Sequence, residues 1–246
     1  MPRFCANLSM LFPELPFLDR FAAAQAAGFE AVEILFPYDE PAPLLLERLE
    51  ATRLPLALIN APPPNYTGGP RGFAAVPGSE ERFRSDFRRA ARYAATLGAR
   101  HLHVMAGAAE GPEARAAFVR NLAWAAGAAP GLSLTIEPIN RHDMPGYFLS
   151  DYGLAAEVLD EVAAPNLRLQ FDAYHAHRIT GDVLGTWGRV RDRVTHVQVA
   201  GYDGRHEPDD RAFLDRLDAD GYRGWVSGEY VPRGRTEDGL GWMRRR

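Results

Sequence analysis

The sequence predicts an α/β fold, a single (β/α)8 TIM barrel over residues 1–246, on three observations. The first is length. The chain has 246 residues, and a closed eight-unit barrel takes about 250 as one domain. One eighth of the chain is about 31 residues, the size of one strand–helix unit. The second is alternation, since short apolar runs give way to longer amphipathic ones along the chain. The third is the ending of four apolar runs on metal-capable polar residues. LSLTIE ends at Glu137, LRLQFD at Asp172, VTHVQ at Gln198 and GWVSGE at Glu229. The gaps between them are 35, 26 and 31 residues, and a strand, a helix and two loops take about 30 or more. Each of four successive units therefore supplies one such residue. They converge only if the strands are parallel and close into a barrel, with a site at its C-terminal mouth.

Taken in order, strands are expected near 3–8, 31–36, 55–60, 101–105, 132–137, 167–172, 194–199 and 225–229. Helices are expected near 16–27, 42–52, 80–97, 113–128, 151–162, 179–188, 209–219 and 236–244. Gly28 closes the first helix. Ser79 precedes EERFRSDFRRAARYAATLG, which is acidic in its first turn, basic later and stopped by Gly98. Ser150-Asp151 opens the fifth helix. The Pro62-Pro63-Pro64 to Gly69-Pro70 stretch reads as a long loop after the third strand, and long ordered loops in compact domains are often functional.

Composition narrows the function class. Hydrophobic residues make up 46% and charged residues 24%, which suits a chain with a large core. The net charge of −4 argues against a nucleic-acid partner, which calls for a basic face. Cys5 is the only cysteine, so no intrachain disulfide forms and a reducing, cytoplasmic setting is expected. No run has signal-peptide character or the roughly 20 apolar residues of a membrane span. Neither GxGxxG nor GxxxxGK[ST] occurs, so neither NAD nor ATP is implied. Homo-oligomerisation is left open.

Side chains alternate along a strand. Ser133, Thr135 and Glu137 share one face, as do Arg168, Gln170 and Asp172, and His196 with Gln198. The alternate residues are apolar and suit the helix-covered face, so the polar sets point into the barrel. Asn7, Glu33, Asn60 and His103 join them there, and Asn60 and His103 become candidate substrate contacts. Three carboxylates crowded into a partly dry mouth repel one another and raise each other's pKa. A divalent cation removes that conflict. Three carboxylates and one amide suit a hard ion, Mg²⁺ or Mn²⁺, better than zinc.

Several long segments carry a family resemblance: ANLSMLF at 6–12, GFEAVEILFPYD at 28–39, IEPIN at 136–140 with Asp143 and Pro145-Gly146 beyond, LQFDAYHAHR at 169–178, HVQVAG at 196–201, RHEP at 205–208 and GEYVPRGRTEDGLGWM at 228–243. With these the chain resembles the hydroxypyruvate isomerase family, within the xylose isomerase-like barrel superfamily. The resemblance implies one divalent metal held by Glu137, Asp172, Gln198 and Glu229, with Glu137 and Glu229 as proton donor and acceptor. ANLSM, HVMAG at 103–107 and HVQVAG with RHEPDD also resemble the 2-oxo-tetronate isomerases. After Asp210 the chain departs from both, passing straight to Arg211-Ala212-Phe213-Leu214 where relatives carry a Gly-Glu-Ile-Asn-Tyr stretch.

The expected substrate is a small anionic hydroxy-keto acid. Hydroxypyruvate becomes tartronate semialdehyde by a proton shift between neighbouring carbons through an enediolate, with no redox cofactor. His175 lies three residues after Asp172, in a loop, at the offset where similar sugar epimerases place a substrate-contacting His. Arg205 and His206 follow Gln198 closely enough to cap the mouth. Asp143 is expected to orient His175 or a substrate hydroxyl, and His142 and His177 are read as ordinary surface residues. The competing readings are a 2-oxo-tetronate isomerase, a sugar epimerase and a non-catalytic ligand-binding barrel. A phosphodiesterase on the same barrel calls for several metals held by many histidines and fits less well.

Overall fold

Strand pairing is parallel throughout and runs in sequence order until the last strand meets the first. These relations come from a computed structural model, described for residues 3–61 and 71–244. The strands are β1 (Arg3–Asn7), β2 (Ala31–Ile34), β3 (Leu56–Asn60), β4 (His101–His103), β5 (Ser133–Ile136), β6 (Leu167–Asp172), β7 (Val194–Val199) and β8 (Trp225–Gly228). Around them lie α1 (Arg20–Ala26), α2 (Ala42–Thr52), α3 (Glu80–Leu97), α4 (Gly111–Ala128), α5 (Tyr152–Val162), α6 (Ala173–Thr180), α7 (Val183–Val190) and α8 (Arg211–Ala219). The protein is thus a closed (β/α)8 barrel, as the sequence predicts. The 62–70 part of the long loop lies outside the described residues.

Alternation on the strands divides the core into two layers. Leu134, Ile136, Leu169, Phe171 and Val197 are fully buried under the helices. Phe171 meets Trp187 of α7 edge-on at 5.4 Å and Phe213 of α8 at 5.5 Å. Burying one such ring contributes about 1.5–3 kcal/mol. The Trp187 indole N–H is satisfied by Asp220 at 2.8 Å. The polar layer is equally buried: Asn7, Glu33, Thr135, Gln170, His196 and Gln198. Register brings these side by side, with Asn7 opposite Glu33, Asn60 opposite His103 and Asp172 opposite Gln198.

Several elements differ from the sequence reading. The helix expected at 179–188 is two helices, broken at Gly181, whose φ of +70° ends α6. Asp182 then caps α7 by accepting from Gly185 N at 2.8 Å. The loop expected around His175 does not exist, because Asp172 caps α6 through Tyr174 N at 2.8 Å and the helix starts at once. The terminal helix is a 3-10 segment, Thr236–Met243. A 3-10 turn also precedes α1, over Phe17–Asp19. Arg168 does not join the interior set. It lies at the opposite end of β6 and donates to Asp192 O at 2.5 Å. The short connection after Asp210 has a simple form: Asp210 caps α8 through Phe213 N at 3.0 Å.

Candidate active site

A cavity of about 240 Å³ opens at the C-terminal mouth of the barrel. Glu137, Gln170, Glu229, Asp143, His175 and Arg205 supply polar walls, together with Asn60 and Arg71. Leu35, Met105, Ile139 and Met144 supply apolar ones. Six of the ten predicted site residues therefore face one cavity: Glu137, Glu229, His175, Arg205, Asp143 and Asn60. Asp172 and Gln198 are fully buried beside it. His103 is buried 3.7 Å from Glu137 Oε2 and 3.2 Å from Asn60 Oδ1. His206 does not line the cavity; its Nδ1 meets Val231 O at 2.8 Å.

The carboxylates arrive one residue past or at the ends of their strands. Asp172 closes β6, and Glu137 and Glu229 follow β5 and β8 directly. Arg205 reaches between two of them: its Nη2 donates to Asp172 Oδ2 at 2.8 Å and to Glu229 Oε1 at 2.6 Å. Its backbone has a φ of +55°, a left-handed turn that costs a non-glycine residue about 1–2 kcal/mol. The guanidinium also lies over the Tyr174 ring, 5.0 Å from its centroid. Below, Asn7 Nδ2 donates to Glu33 Oε1 at 2.8 Å and to Glu229 Oε2 at 3.2 Å. Gln198 Nε2 donates to Glu33 Oε1 at 2.9 Å and also to Glu229 Oε2. His196 Nε2 sits 2.7 Å from Glu33 Oε2.

Three carboxylates against one guanidinium leave an excess of negative charge, and the protonation states reflect it. Burial, then the charges of Glu229 and Asp172, push the Glu137 carboxyl well above the usual range. Burial pushes Glu229 up to about 8, partly opposed by Arg205. Burial pulls Arg205 down, but Glu229, Asp172 and Glu137 outweigh it and hold the guanidinium above its ordinary value. Burial lowers His175 to about 4 and His103 to about 3, so both rings are neutral near pH 7.

This donor set fits a divalent cation. Glu137, Asp172 and His175 each offer one ligand atom, and these atoms lie within 4.8 Å of one another. The group differs from the sequence-derived set by bringing in His175 and leaving out Glu229. Gln198 turns its amide nitrogen toward the carboxylates and its oxygen toward Gln170 Nε2, at 2.7 Å. To offer an oxygen to a cation, it must turn that amide over.

Comparison with known proteins identifies the family. A model of the xylose isomerase-like TIM barrel family matches residues 21–246. The chain belongs to that family. It is 47% identical over 255 residues to a 2-oxo-tetronate isomerase of Cupriavidus necator, covering 99% of this chain and 98% of the relative. It is 38% identical over 255 residues to the hydroxypyruvate isomerase of Escherichia coli, with 99% and 98% covered. A crystal structure described as an AP endonuclease, family 2, from Brucella melitensis superposes with a TM-score of 0.94 at 41% identity, over 99% of this chain and 98% of that one. A D-allulose 3-epimerase from Methylomonas sp. shares the fold, with a TM-score of 0.72 at 21% identity over 99% and 91% of the two chains.

Two site residues had no reading in the sequence. Asn140 Nδ2 lies 2.7 Å from His175 Nδ1 and 3.0 Å from Asp143 Oδ2. Asp143 thus reaches His175 through Asn140. The only signal for Asn140 was its place in IEPIN. The second residue is Arg71, whose only signal was its position beside the proline-rich loop. Among the described residues, no helix is long and apolar enough to cross a membrane.

Proposed function

We propose that this isomerase interconverts a small 2-oxo hydroxy acid and its aldehyde or ketone isomer through an enediolate, with Glu137 and Glu229 as the proton-transfer pair. Hydroxypyruvate and tartronate semialdehyde are the first pair to test. The four-carbon 2-oxo-tetronates are the second, favoured by the 47% identity to an enzyme of that name. One observation carries the reading: two buried carboxyls from different strands, Glu137 and Glu229, face one small cavity beside the half-buried Arg205 guanidinium. General acid–base chemistry wants such groups poised near neutral pH.

One carboxylate removes the carbon-bound proton, and a protonated partner returns one to the neighbouring carbon. The electron pair shifts between the two carbons and no electrons leave the substrate. Arg205 and His175 face the substrate's oxygens, and Asn140 and Asp143 hold the His175 ring. Asn60 adds a polar wall, with His103 buried behind it at 3.2 Å. His103 Nε2 is buried with no hydrogen-bond partner among the described residues. Glu137, Asp172 and Glu229, with His175 or a turned Gln198, would hold one Mg²⁺ or Mn²⁺. When bound, that ion supplies Lewis-acid stabilisation of charge developing on the substrate oxygens.

Phosphodiester cleavage, suggested by the description of the Brucella structure, finds less support. His175 is the one histidine in the potential metal group among the described residues, and the chain is acidic overall.

The test is proton NMR in D₂O with Mn²⁺ or Mg²⁺, comparing hydroxypyruvate, 2-oxo-tetronates and small ketoses. Solvent deuterium is expected at the carbon that gains the proton. Glu137→Gln and Glu229→Gln are each expected to lose about 10²–10⁴-fold in turnover. A double variant that still holds metal and turns over at the parent rate overturns the roles. Inversion of one ketose carbon, with no 2-oxo acid turnover, favours an epimerase.

A further inference from the structure

Arg71 faces the same cavity as Glu137, Glu229 and Arg205. Its charge is not spent within the described part of the protein. Arg205 is bonded to two carboxylates at 2.8 and 2.6 Å. Arg71 has no carboxylate within ion-pair distance among the described residues, and its one ring contact is distant, 6.0 Å to the centroid of Phe36.

The backbone beside Arg71 is clamped. Gly72 pairs with Ala106 in an isolated antiparallel bridge, and Ala75 N donates to Ala106 O at 2.8 Å. A Cβ on Gly72 would lie 2.2 Å from Met105 O, and one on Gly107 would lie 2.2 Å from Gly72 O. Both glycines have positive φ, +96° and +88°. Asn121 Nδ2 holds the next turn through Ala74 O at 2.9 Å. Two glycine backbones thus pack face to face and fix where the Arg71 side chain starts. A cation on so firmly held a backbone, at a cavity wall and with no anion of its own among the described residues, is placed for a ligand.

Charge balance says which ligand. With one of Glu137 and Glu229 carrying the proton the reaction needs, Arg205 and one divalent cation would cover the charge of the three carboxylates. Glu33 has its own partners in Asn7, Gln198 and His196. A bound oxo acid adds one more negative charge, for which Arg71 is the remaining cation on the cavity wall. Guanidinium accepts a carboxylate through two parallel N–H bonds, a match that ammonium lacks.

Resting on the reaction proposed above, we infer that Arg71 binds the substrate's carboxylate and makes the enzyme selective for 2-oxo acids over uncharged ketoses. Arg205 then belongs to the reacting end of the substrate and Arg71 to its carboxylate end.

The test uses the full-length metal-loaded protein and the variants Arg71→Gln and Arg71→Lys. Arg71 is exposed and has no ion pair to lose among the described residues, so both are expected to melt like the parent. For the preferred oxo acid, Arg71→Gln should raise KM on the order of 10- to 100-fold, change kcat by less than about threefold and leave Mn²⁺ affinity unchanged. Arg71→Lys should recover part of the loss. Calorimetry with tartronate, an unreactive carboxylate analogue, should show the same loss of affinity in Arg71→Gln. With dihydroxyacetone, which has no carboxylate, parent and variant should bind alike. If the parent turns over or binds the oxo acid and Arg71→Gln equals it in KM and tartronate affinity, the Arg71 assignment alone falls. If the parent neither binds nor turns over any 2-oxo hydroxy acid, the reaction falls and the assignment falls with it.

Discussion

Replacing Arg205 with Ala should make stability depend on pH in a specific direction. The guanidinium donates to Asp172 and Glu229 at 2.8 and 2.6 Å, and both carboxylates are buried. Removing one partner of a buried ion pair strands the other charge, at a cost of about 3–5 kcal/mol. Protonation relieves that cost. Glu229 already titrates at about 8 with Arg205 present, against an ordinary value of 4.5, chiefly because it is buried. A carboxyl whose folded value exceeds its unfolded value keeps its proton longer in the native state. Its stabilisation is full below about 4.5 and is lost as pH rises through about 8. Without Arg205 the folded value rises further, so the loss deepens.

The parent and Arg205→Ala should therefore melt within a few degrees of each other near pH 5, in chelator. Near pH 8 the gap should open to about 6–20 °C, taking about 2–4 °C per kcal/mol for a chain of this size. Mn²⁺ at one fixed concentration should narrow it, because without Arg205 the uncompensated carboxylates bind the ion more tightly than in the parent and so gain more from it. Thermal melts followed by circular dichroism from pH 5 to 9 make the measurement. A gap that stays constant with pH, or no gap at all, refutes the charge-balance account of the mouth.

Three further outcomes follow from the same geometry. Asp172→Asn should weaken Mn²⁺ binding at least tenfold by calorimetry with a parent-like far-UV spectrum; unchanged affinity removes Asp172 from the metal site. Asn140→Ala frees the His175 ring from its 2.7 Å partner, and steady-state kinetics should show kcat/KM down about tenfold with Mn²⁺ affinity changed less. Gly107→Ala puts a Cβ 2.2 Å from Gly72 O at a φ of +88°, so denaturant melts should show a loss of at least about 2 kcal/mol.

Much of the fold was legible because its signals are periodic and local. Eight apolar runs gave eight strands, and alternation placed Thr135, Gln170, His196 and Gln198 correctly inside the barrel. Errors arose where one residue holds two roles. Asp172 ends β6 and also caps α6, so no loop residues marked the helix start and His175 was read as loop. Gly181 and Asp182 fell inside an expected helix because the amphipathic pattern runs on across the break. Arg168 obeys the same alternation as Gln170 and Asp172, but it sits at the strand's other end, where its long side chain reaches Asp192 O. Alternation gives a face and not a depth. Asn140 and Arg71 were missed for another reason. Their roles depend on contacts to His175 and to the Met105–Gly107 segment, which no local pattern encodes.

The carboxylates themselves show what lies between a legible residue and a working one. Each of two has one oxygen tied down and one offered. Glu229 Oε2 accepts from Asn7 and Gln198, both held by Glu33, while Oε1 meets Arg205. Asp172 Oδ1 caps α6 through Tyr174 N, while Oδ2 meets Arg205. The buried layer therefore acts on the mouth by orientation: it fixes which oxygen faces Arg205. A carboxylate held by backbone and amide donors loses little rotamer freedom when a cation or substrate arrives. Glu137 has weaker support, with His103 Nδ1 at 3.7 Å from its Oε2. Among the described residues, that leaves Glu137 the least tethered of the three and the one whose orientation a bound cation or substrate would change most.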